Sequence, residues 1–296
     1  MLSDHLWVVC IAFLVAANAS LLGTFLMLRR ASMLCDALSH AVLPGIVGAF
    51  LLTGTLHQGV MMAGAAVAGV LASLLISWLS QQRLIEAEVA IGITFTTFFA
   101  LGLLLVCRYT RKTDLDLSCV LYGKLLLISL DEWVWHGYVL GPKAAWWLGG
   151  LLLMNATFVG LCYPRLLLSS FDAEQALLLG MPVAAWHYAL MTLTSVTTVL
   201  ALKSVGAVLV VGLMVAAPAI AYVGGATMPA LLWWALLLDA LIALLGYGLA
   251  LLLEGSVSGA MMVAAGGLFA LAWALSWWGQ RRGIGSAASS SHSEKP

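Results

Sequence analysis

Long apolar runs separated by short polar stretches dominate the chain. Nine of them are candidate membrane spans, because about 20 apolar residues cross a hydrocarbon layer of ~30 Å as a helix. They lie at 6–28, 34–53, 59–80, 88–107, 144–163, 187–202, 206–223, 229–253 and 257–278. The pattern predicts an all-α, polytopic membrane protein of about eight or nine transmembrane helices.

Two longer polar stretches interrupt this series. Segment 108–143 joins a charged start to an apolar stretch, 117–130, that is too short to span and predicts an interfacial or re-entrant helix. The other, segment 164–186, is described with its candidate residues below. After the last span, the Ser- and Gly-rich segment 283–296 predicts a disordered tail, so 1–282 forms the membrane domain.

Composition supports a membrane protein. Of the 296 residues, 63% are hydrophobic and 9% are charged, whereas a soluble domain carries about 25% charged residues. The formal net charge of +0 gives no basic field for nucleic acid. The five cysteines contain no C-x-x-C pair and are interpreted as packing residues.

The segment 164–186 has the residues of a short capped helix. Asp172 can cap its start, Glu174 complements the positive N-terminus, and Gly180 can end it.

Arginine and lysine in the loops divide evenly between the two sides of the membrane. The arginines at span ends favour an outer N-terminus and a cytoplasmic C-terminus, because cytoplasmic loops are enriched in positive charge.

The second predicted span contains an acid and a histidine within an apolar run. Asp36 and His40 are four residues apart, so on a helix their side chains share one face. They lie roughly 9 Å and 15 Å along the helix from Arg30, and hence near the bilayer centre. Ionisable groups at that depth are costly and usually face a pathway. A carboxylate beside an imidazole suits Zn²⁺, Mn²⁺ or Fe²⁺, so the pair predicts a transition-metal site.

Pro44 adds a predicted break to the same span. Because proline lacks an N–H, the carbonyl of His40 loses its helical partner, and a freed carbonyl at this depth is tolerated beside a water-filled path.

Two alternative roles of the Asp36/His40 pair stay open: the pair only ties helices together, or it relays protons. Since two ligands do not complete a metal site, we expect a second copy of the helix to supply two more across a two-fold axis.

Other ionisable residues have less defined roles. His57 lies in a short outer loop, where it could help an ion enter or simply be solvated. Asp239 lies inside the eighth span and needs a partner that the sequence does not name. The sequence has no G-x-x-x-x-G-K-S/T run, so no phosphate-binding loop is expected in this chain, and energy must come from another subunit or a gradient.

Segment 29–45, RRASMLCDALSHAVLPG, resembles a motif of the metal-specific family of ABC transporter permeases, which import manganese, zinc or iron. It departs from the family pattern at Cys35, where glycine is common. Segment 114–131 resembles the family's outer amphipathic segment, 171–180 its cytoplasmic coupling segment, and 205–219 a late span with a helix-breaking proline, Pro218. The resemblance covers most of the chain from residue 29 to about 260.

The resemblance implies a permease in the bacterial inner membrane that dimerises with an identical or paralogous permease. It also implies two cytoplasmic ATPase subunits, which bind ATP, and an extracytoplasmic metal-binding protein. Metal coordination is carried onto Asp36 and His40 by motif position, and coupling to the ATPase onto Asp172, Glu174 and Gly180. Pro44 and Pro218 are implied breaks at a gate. The segment 171–182 must then face the cytoplasm, which supports the orientation given above.

Two other classes of function compete with this prediction. A gradient-driven secondary metal transporter would show inverted internal repeats with interrupted helices in matching positions, and no matching sequence surrounds the two proline breaks. An intramembrane metalloprotease would carry an H-E-x-x-H pattern, which the sequence lacks. The predicted function is therefore that of the permease subunit of an ATP-driven importer for manganese, zinc or iron.

Overall fold

The computed structural model describes residues 2–55, 57–82, 85–109, 132–135 and 138–290. The helices are α1 (Leu2–Leu28), α2 (Leu34–Ala41), α3 (Leu43–Thr53), α4 (Gln58–Ser80), α5 (Ala87–Tyr109), α6 (Lys143–Phe171), α7 (Ala173–Leu178), α8 (Val183–Val205), α9 (Ala207–Val223), α10 (Met228–Leu253) and α11 (Val257–Ser290). Two antiparallel strands, β1 (Glu132–Trp135) and β2 (Tyr138–Pro142), form a hairpin.

The helical membrane fold predicted from the sequence is confirmed. Within the described residues, eight segments are long and apolar enough to cross a membrane, and α2 with α3 counts as one of them. α9 is equally apolar but has 17 residues, which at 1.5 Å each make about 25 Å and leave it slightly short of the hydrocarbon thickness. Large apolar side chains such as Leu153, Leu161 and Leu252 point outward, as lipid contact requires.

α1 forms the centre of the helix bundle. It is apolar all round, and its residues from Ile11 to Leu26 are mostly buried, as expected for a helix with neighbours on every side. α6, α9 and α10 pack directly on it, with α11 behind α9 and α10. A second group, α2 to α5, packs together, and α8 contacts both groups. α3 and α4 approach closely because Gly45 and Gly64 face each other, leaving no room for a Cβ at either position.

The two ends of the bundle differ. At one end, which we call the α7 end, α1 and α6 finish, α7 follows, and α2, α5 and α8 begin around a groove of 570 Å³. Leu34, Ile91 and His187 line that groove together. At the opposite, hairpin end, α1 begins, and the ring of Trp7 lies against Gly141 of β2.

Segment 108–143 is only partly described. The predicted interfacial or re-entrant helix at 117–130 lies outside the described residues. The strands β1 and β2, which the sequence analysis did not predict, follow it. Their sequences, EWVW and YVLGP, are rich in the aromatic and β-branched residues that favour strands.

Several helices extend beyond their predicted boundaries, and α6, α8 and α11 are examples. α6 continues through Pro164 to Phe171, two turns beyond the predicted span, and α8 begins at Val183 rather than at 187. α11 continues to Ser290, although the sequence predicts a disordered tail from 283. A helix that has already formed extends at little cost per residue, so composition alone places its end too early.

Candidate functional site

The second span consists of two helices that meet at Val42. Pro44 occupies the first turn of α3 and cannot donate to the carbonyl of His40. The N–H of Val42, which keeps a right-handed helical conformation, is directed to that carbonyl instead. The predicted break is therefore a tight junction directly after His40.

Asp36 and His40 lie on one face of α2. The distance from His40 Nε2 to Asp36 Oδ1 is 3.9 Å, which is too long for a hydrogen bond. Zinc–nitrogen and zinc–oxygen bonds are each about 2.0–2.2 Å long and meet at roughly 109° in a tetrahedral site, so two ligand atoms on one ion lie ~3.4 Å apart, about half an ångström closer than this pair. The pair can thus bind one cation with small side-chain rotations.

α5 provides the wall beside this pair. The His40 ring lies 5.3 Å from the ring of Phe95 and 5.6 Å from that of Phe99, measured between centroids. About one helical turn further along both helices, Gly102 of α5 lies against Pro44 of α3. These contacts place α5 parallel to α2 and hold the imidazole between apolar rings.

The site is open on its other side. The Asp36 side chain is 59% exposed and that of His40 is 31% exposed. In the part of the chain that the structure describes, no group of three or more His, Cys, Asp or Glu side chains could hold a metal ion. If Asp36 and His40 bind one ion, a closed tetrahedral site needs two more ligands beyond this pair.

α7 is capped at both ends as the sequence predicts. The Asp172 carboxylate accepts a hydrogen bond of 2.8 Å from the N–H of Gln175, and Glu174 lies in the first turn. Gly180 has a φ of 74°, and the N–H of Met181 bonds back to the carbonyl of Ala176. This Gly-terminated turn gives α7 a fixed length.

α7 also presents an apolar patch. Leu177, Leu178 and Leu179 are exposed at the α7 end, next to the acidic first turn of the helix. An exposed apolar group beside charged residues is typical of a surface that binds another protein.

With this geometry in place, the chain was compared with known proteins. Residues 3–276 match the model of the ABC 3 transport family. The chain belongs to the ABC 3 transport family. It is a multi-pass membrane permease.

The chain is similar to curated membrane proteins of metal transport systems, among them the following two. The manganese transport system membrane protein MntD of Bacillus subtilis is 38% identical over 275 residues, which are 93% of each protein. The zinc transport system membrane protein TroD of Treponema pallidum is 36% identical over 269 residues, covering 91% of this chain and 73% of TroD.

Solved structures show the same ABC permease fold. PsaBC from Streptococcus pneumoniae, in complex with Fab, superposes with a TM-score of 0.72 at 27% identity, over 92% of this chain and 95% of that one. An inward-facing conformation of a putative metal-chelate type ABC transporter gives a TM-score of 0.65 at 19% identity, over 90% and 84% of the two chains. The second likeness concerns the fold alone.

The helix break predicted at Pro218 of this ABC 3 chain is wrong. α9 runs through Pro218 to Val223 without interruption. The proline deprives the carbonyl of Met214 of a donor, but that carbonyl packs against Gly23 of α1, which has no side chain to exclude it. The backbone changes direction instead at Gly206, which has a φ of 85°.

Asp239 and His57 have clear locations. Asp239 is fully buried between α10 and α1, and its Oδ2 accepts a hydrogen bond from the Ser20 hydroxyl, a partner that the sequence could not name. His57 is exposed directly before α4, at the hairpin end. Neither residue approaches the Asp36/His40 pair closely enough to complete it.

Two polar clusters were missed by the sequence analysis. One joins Asn18, Asn155 and Thr197 inside the bundle. The other surrounds Arg29 at the α7 end. The signal for the first is two asparagines within predicted spans, which need partners in a membrane.

Proposed function

We propose that this chain is the permease subunit of an ATP-driven importer for a divalent transition metal ion, and that Asp36 and His40 bind the ion in transit. The observation that carries the proposal is the outward-facing acid–imidazole pair beside the helix junction at Val42. A charged group at membrane depth costs about 2.5–3.5 kcal/mol or more, so one left open to the outside needs a function.

A second permease chain completes the site in this proposal. Two copies that meet at the Asp36 face bring two carboxylates and two imidazoles to a two-fold axis, giving the four ligands that Zn²⁺ takes. The partner is an identical or a paralogous permease. Its approach also removes the Asp36 carboxylate from lipid.

Manganese, zinc and iron are the proposed cargo ions. Carboxylate and imidazole ligands suit all three, and affinity order alone does not select among them. The relatives support this range, since MntD is named for manganese and TroD for zinc.

The α7 end is proposed to face the cytoplasm and bind the ATPase subunits. Asp172, Glu174 and Gly180 fix the form of α7, whose exposed leucines would insert into an apolar cleft of the ATPase. The N-terminus then lies outside and the C-terminus inside the bacterial inner membrane. The hairpin end would receive the ion from an extracytoplasmic metal-binding protein.

Uptake by a deletion strain tests this function. We expect the wild-type gene to restore growth under starvation for one of manganese, zinc or iron, and D36N or H40A to abolish uptake of that ion while the protein stays in the membrane. E254Q is the matched control, because Glu254 is an exposed acid on a different helix end. Wild-type uptake by D36N and H40A would refute the assignment of the site.

The same strain distinguishes an ATP-driven importer from the gradient-driven secondary transporter. An ATP-driven importer loses uptake when its ATPase subunit is deleted. A secondary transporter keeps uptake in that deletion and loses it when a protonophore collapses the gradient.

A further inference from the structure

Arg29 joins three helices at the α7 end. It directly follows the last residue of α1 and donates from Nε to Ser170 Oγ over 2.9 Å and from Nη2 to Ser169 Oγ over 2.8 Å. Its Nη1 lies 3.1 Å from His187 Nδ1. Since arginine has no acceptor, that histidine nitrogen accepts the bond. Ser169 and Ser170 lie in the last turn of α6, and His187 lies in the second turn of α8, so the guanidinium is bonded to the helices on both sides of α7.

The bonds of Arg29 require an arginine. Its partners are two hydroxyls and an imidazole, which are uncharged acceptors and do not by themselves require a positive charge. Burial lowers the pKa of Arg29 to about 10, which still leaves it charged at neutral pH, and the negative end of the α1 dipole compensates part of the desolvation. Only the planar fork of a guanidinium reaches three acceptors in different directions, whereas a lysine ammonium acts as a single point.

Arg29 is also linked firmly to α2. The next residue, Arg30, has a φ of 55°, and the N–H groups of Arg30 and Ala31 bond back to the carbonyls of Met27 and Leu26. This pattern is the hydrogen-bonded cap that closes a helix with one left-handed residue. The N–H of Leu34, the first residue of α2, then bonds to the carbonyl of Ala31. A short hydrogen-bonded elbow thus separates Arg29 from the helix that carries Asp36.

We propose that Arg29 is the positioning residue that transmits movement of α7 to α2 and so to the Asp36/His40 pair. This rests on the proposed function, in which an ATPase moves α7. A displacement of α7 carries the end of α6 and the start of α8 with it, and Arg29 passes that displacement to the elbow. α8 also contacts α2 directly, where the Thr198 hydroxyl lies 3.7 Å from Cys35 Sγ, so loss of Arg29 leaves this second contact in place.

The test compares R29K with R30K in the complete transporter, reconstituted in vesicles with its ATPase and metal-binding protein. Arg30 is the matched control because it is adjacent, has the same charge and is exposed. Metal uptake and ATP hydrolysis are measured in the same vesicles, using the ion that supports growth of the strain. We expect R29K to lower uptake per ATP hydrolysed by about tenfold, the usual size of coupling between sites, and R30K to leave the ratio unchanged.

A double variant, S169A/S170A, tests the same bonds while keeping the arginine. We expect the same fall in uptake per ATP with the hydrolysis rate retained. An unchanged ratio in both R29K and S169A/S170A would overturn the proposal. So would parallel losses of uptake, hydrolysis and thermal stability in both, because a purely structural residue behaves in that way.

The control D36N separates this inference from the proposed function. If the wild type takes up no metal, or D36N takes it up normally, the proposed function fails. If D36N is inactive and R29K has the wild-type ratio, only the role of Arg29 fails.

Discussion

Asn155 is the centre of a buried polar cluster that ties α6 to α1 and α8. Its Nδ2 donates to Asn18 Oδ1 over 2.9 Å and to Thr197 Oγ1 over 3.1 Å. Asn18 donates in turn to the carbonyls of Leu14 and Leu148. Water is absent from the hydrocarbon region and cannot replace a lost partner. Removing one side chain of the cluster therefore leaves a polar group of its neighbour without that hydrogen bond.

We expect N155A to destabilise the folded protein by about 1–2 kcal/mol, the range measured for hydrogen bonds between membrane helices and for buried groups left unpaired. Unfolding in mixed micelles by denaturant measures the change. T157A on the same helix is the control, since Thr157 is exposed and its hydroxyl donates to the carbonyl of Leu153 on its own helix. Equal stability of N155A and T157A would show that the cluster contributes nothing.

Three prolines show how the same residue acts differently in different elements. Pro44 is the second residue of α3, and α2 ends three residues before it. Pro164 and Pro218 lie inside α6 and α9, which continue through them. The chemical loss is the same in each case, one N–H donor. The result depends on neighbours, and at Pro218 the neighbour is Gly23 of another helix.

We expect P44A to join α2 and α3 into one helix, because alanine supplies the i+4 N–H that can replace the Val42 N–H at the His40 carbonyl. The joined helix turns Asp36 and His40 away from the positions in which they bind one ion. Uptake should fall by roughly an order of magnitude, since ligands must be held within about 0.5 Å of their working geometry. Thermal stability should stay equal or rise, because the proline penalty is removed.

P164A is the matched control for P44A. It makes the same substitution in a helix that already continues through its proline, so uptake should remain normal. Normal uptake by P44A would contradict a role for the junction in placing the two ligands.

Local sequence rules identified the spans, the capped α7 and the spacing of Asp36 and His40, because each depends on residues within one short segment of the chain. They failed where the deciding contact is distant in sequence. The Ser20 partner of Asp239 lies 219 residues away, and the partners of Arg29 lie 140 to 158 residues away. The exposure of Asp36 likewise depends on which helices cover α2, which its own sequence does not encode.

At the scale of the whole molecule, exposed large apolar side chains occur on many of the described helices. Leu153, Leu161 and Leu252 are examples. On the face formed by α2 and α5, the Asp36 carboxylate is exposed within a helix that crosses the membrane. Lipid is a poor neighbour for that group, whereas a second chain that brings its own Asp36 and His40 to a shared cation removes the cost.

This arrangement predicts cross-linking at Met33. Met33 precedes Asp36 by three residues, lies on the same face and is 67% exposed. If two Asp36 side chains share one ion, the two Met33 positions lie within about two helical turns of each other, ~11 Å. In a background without the five native cysteines, M33C treated with a bifunctional thiol reagent of that span should give a species of twice the mass. L252C, 83% exposed on α10, is the control and should remain a single chain.

A doubled species from M33C alone would identify the partner as a second copy of this chain. A doubled species from L252C and none from M33C would place the contact on another face and contradict the shared site.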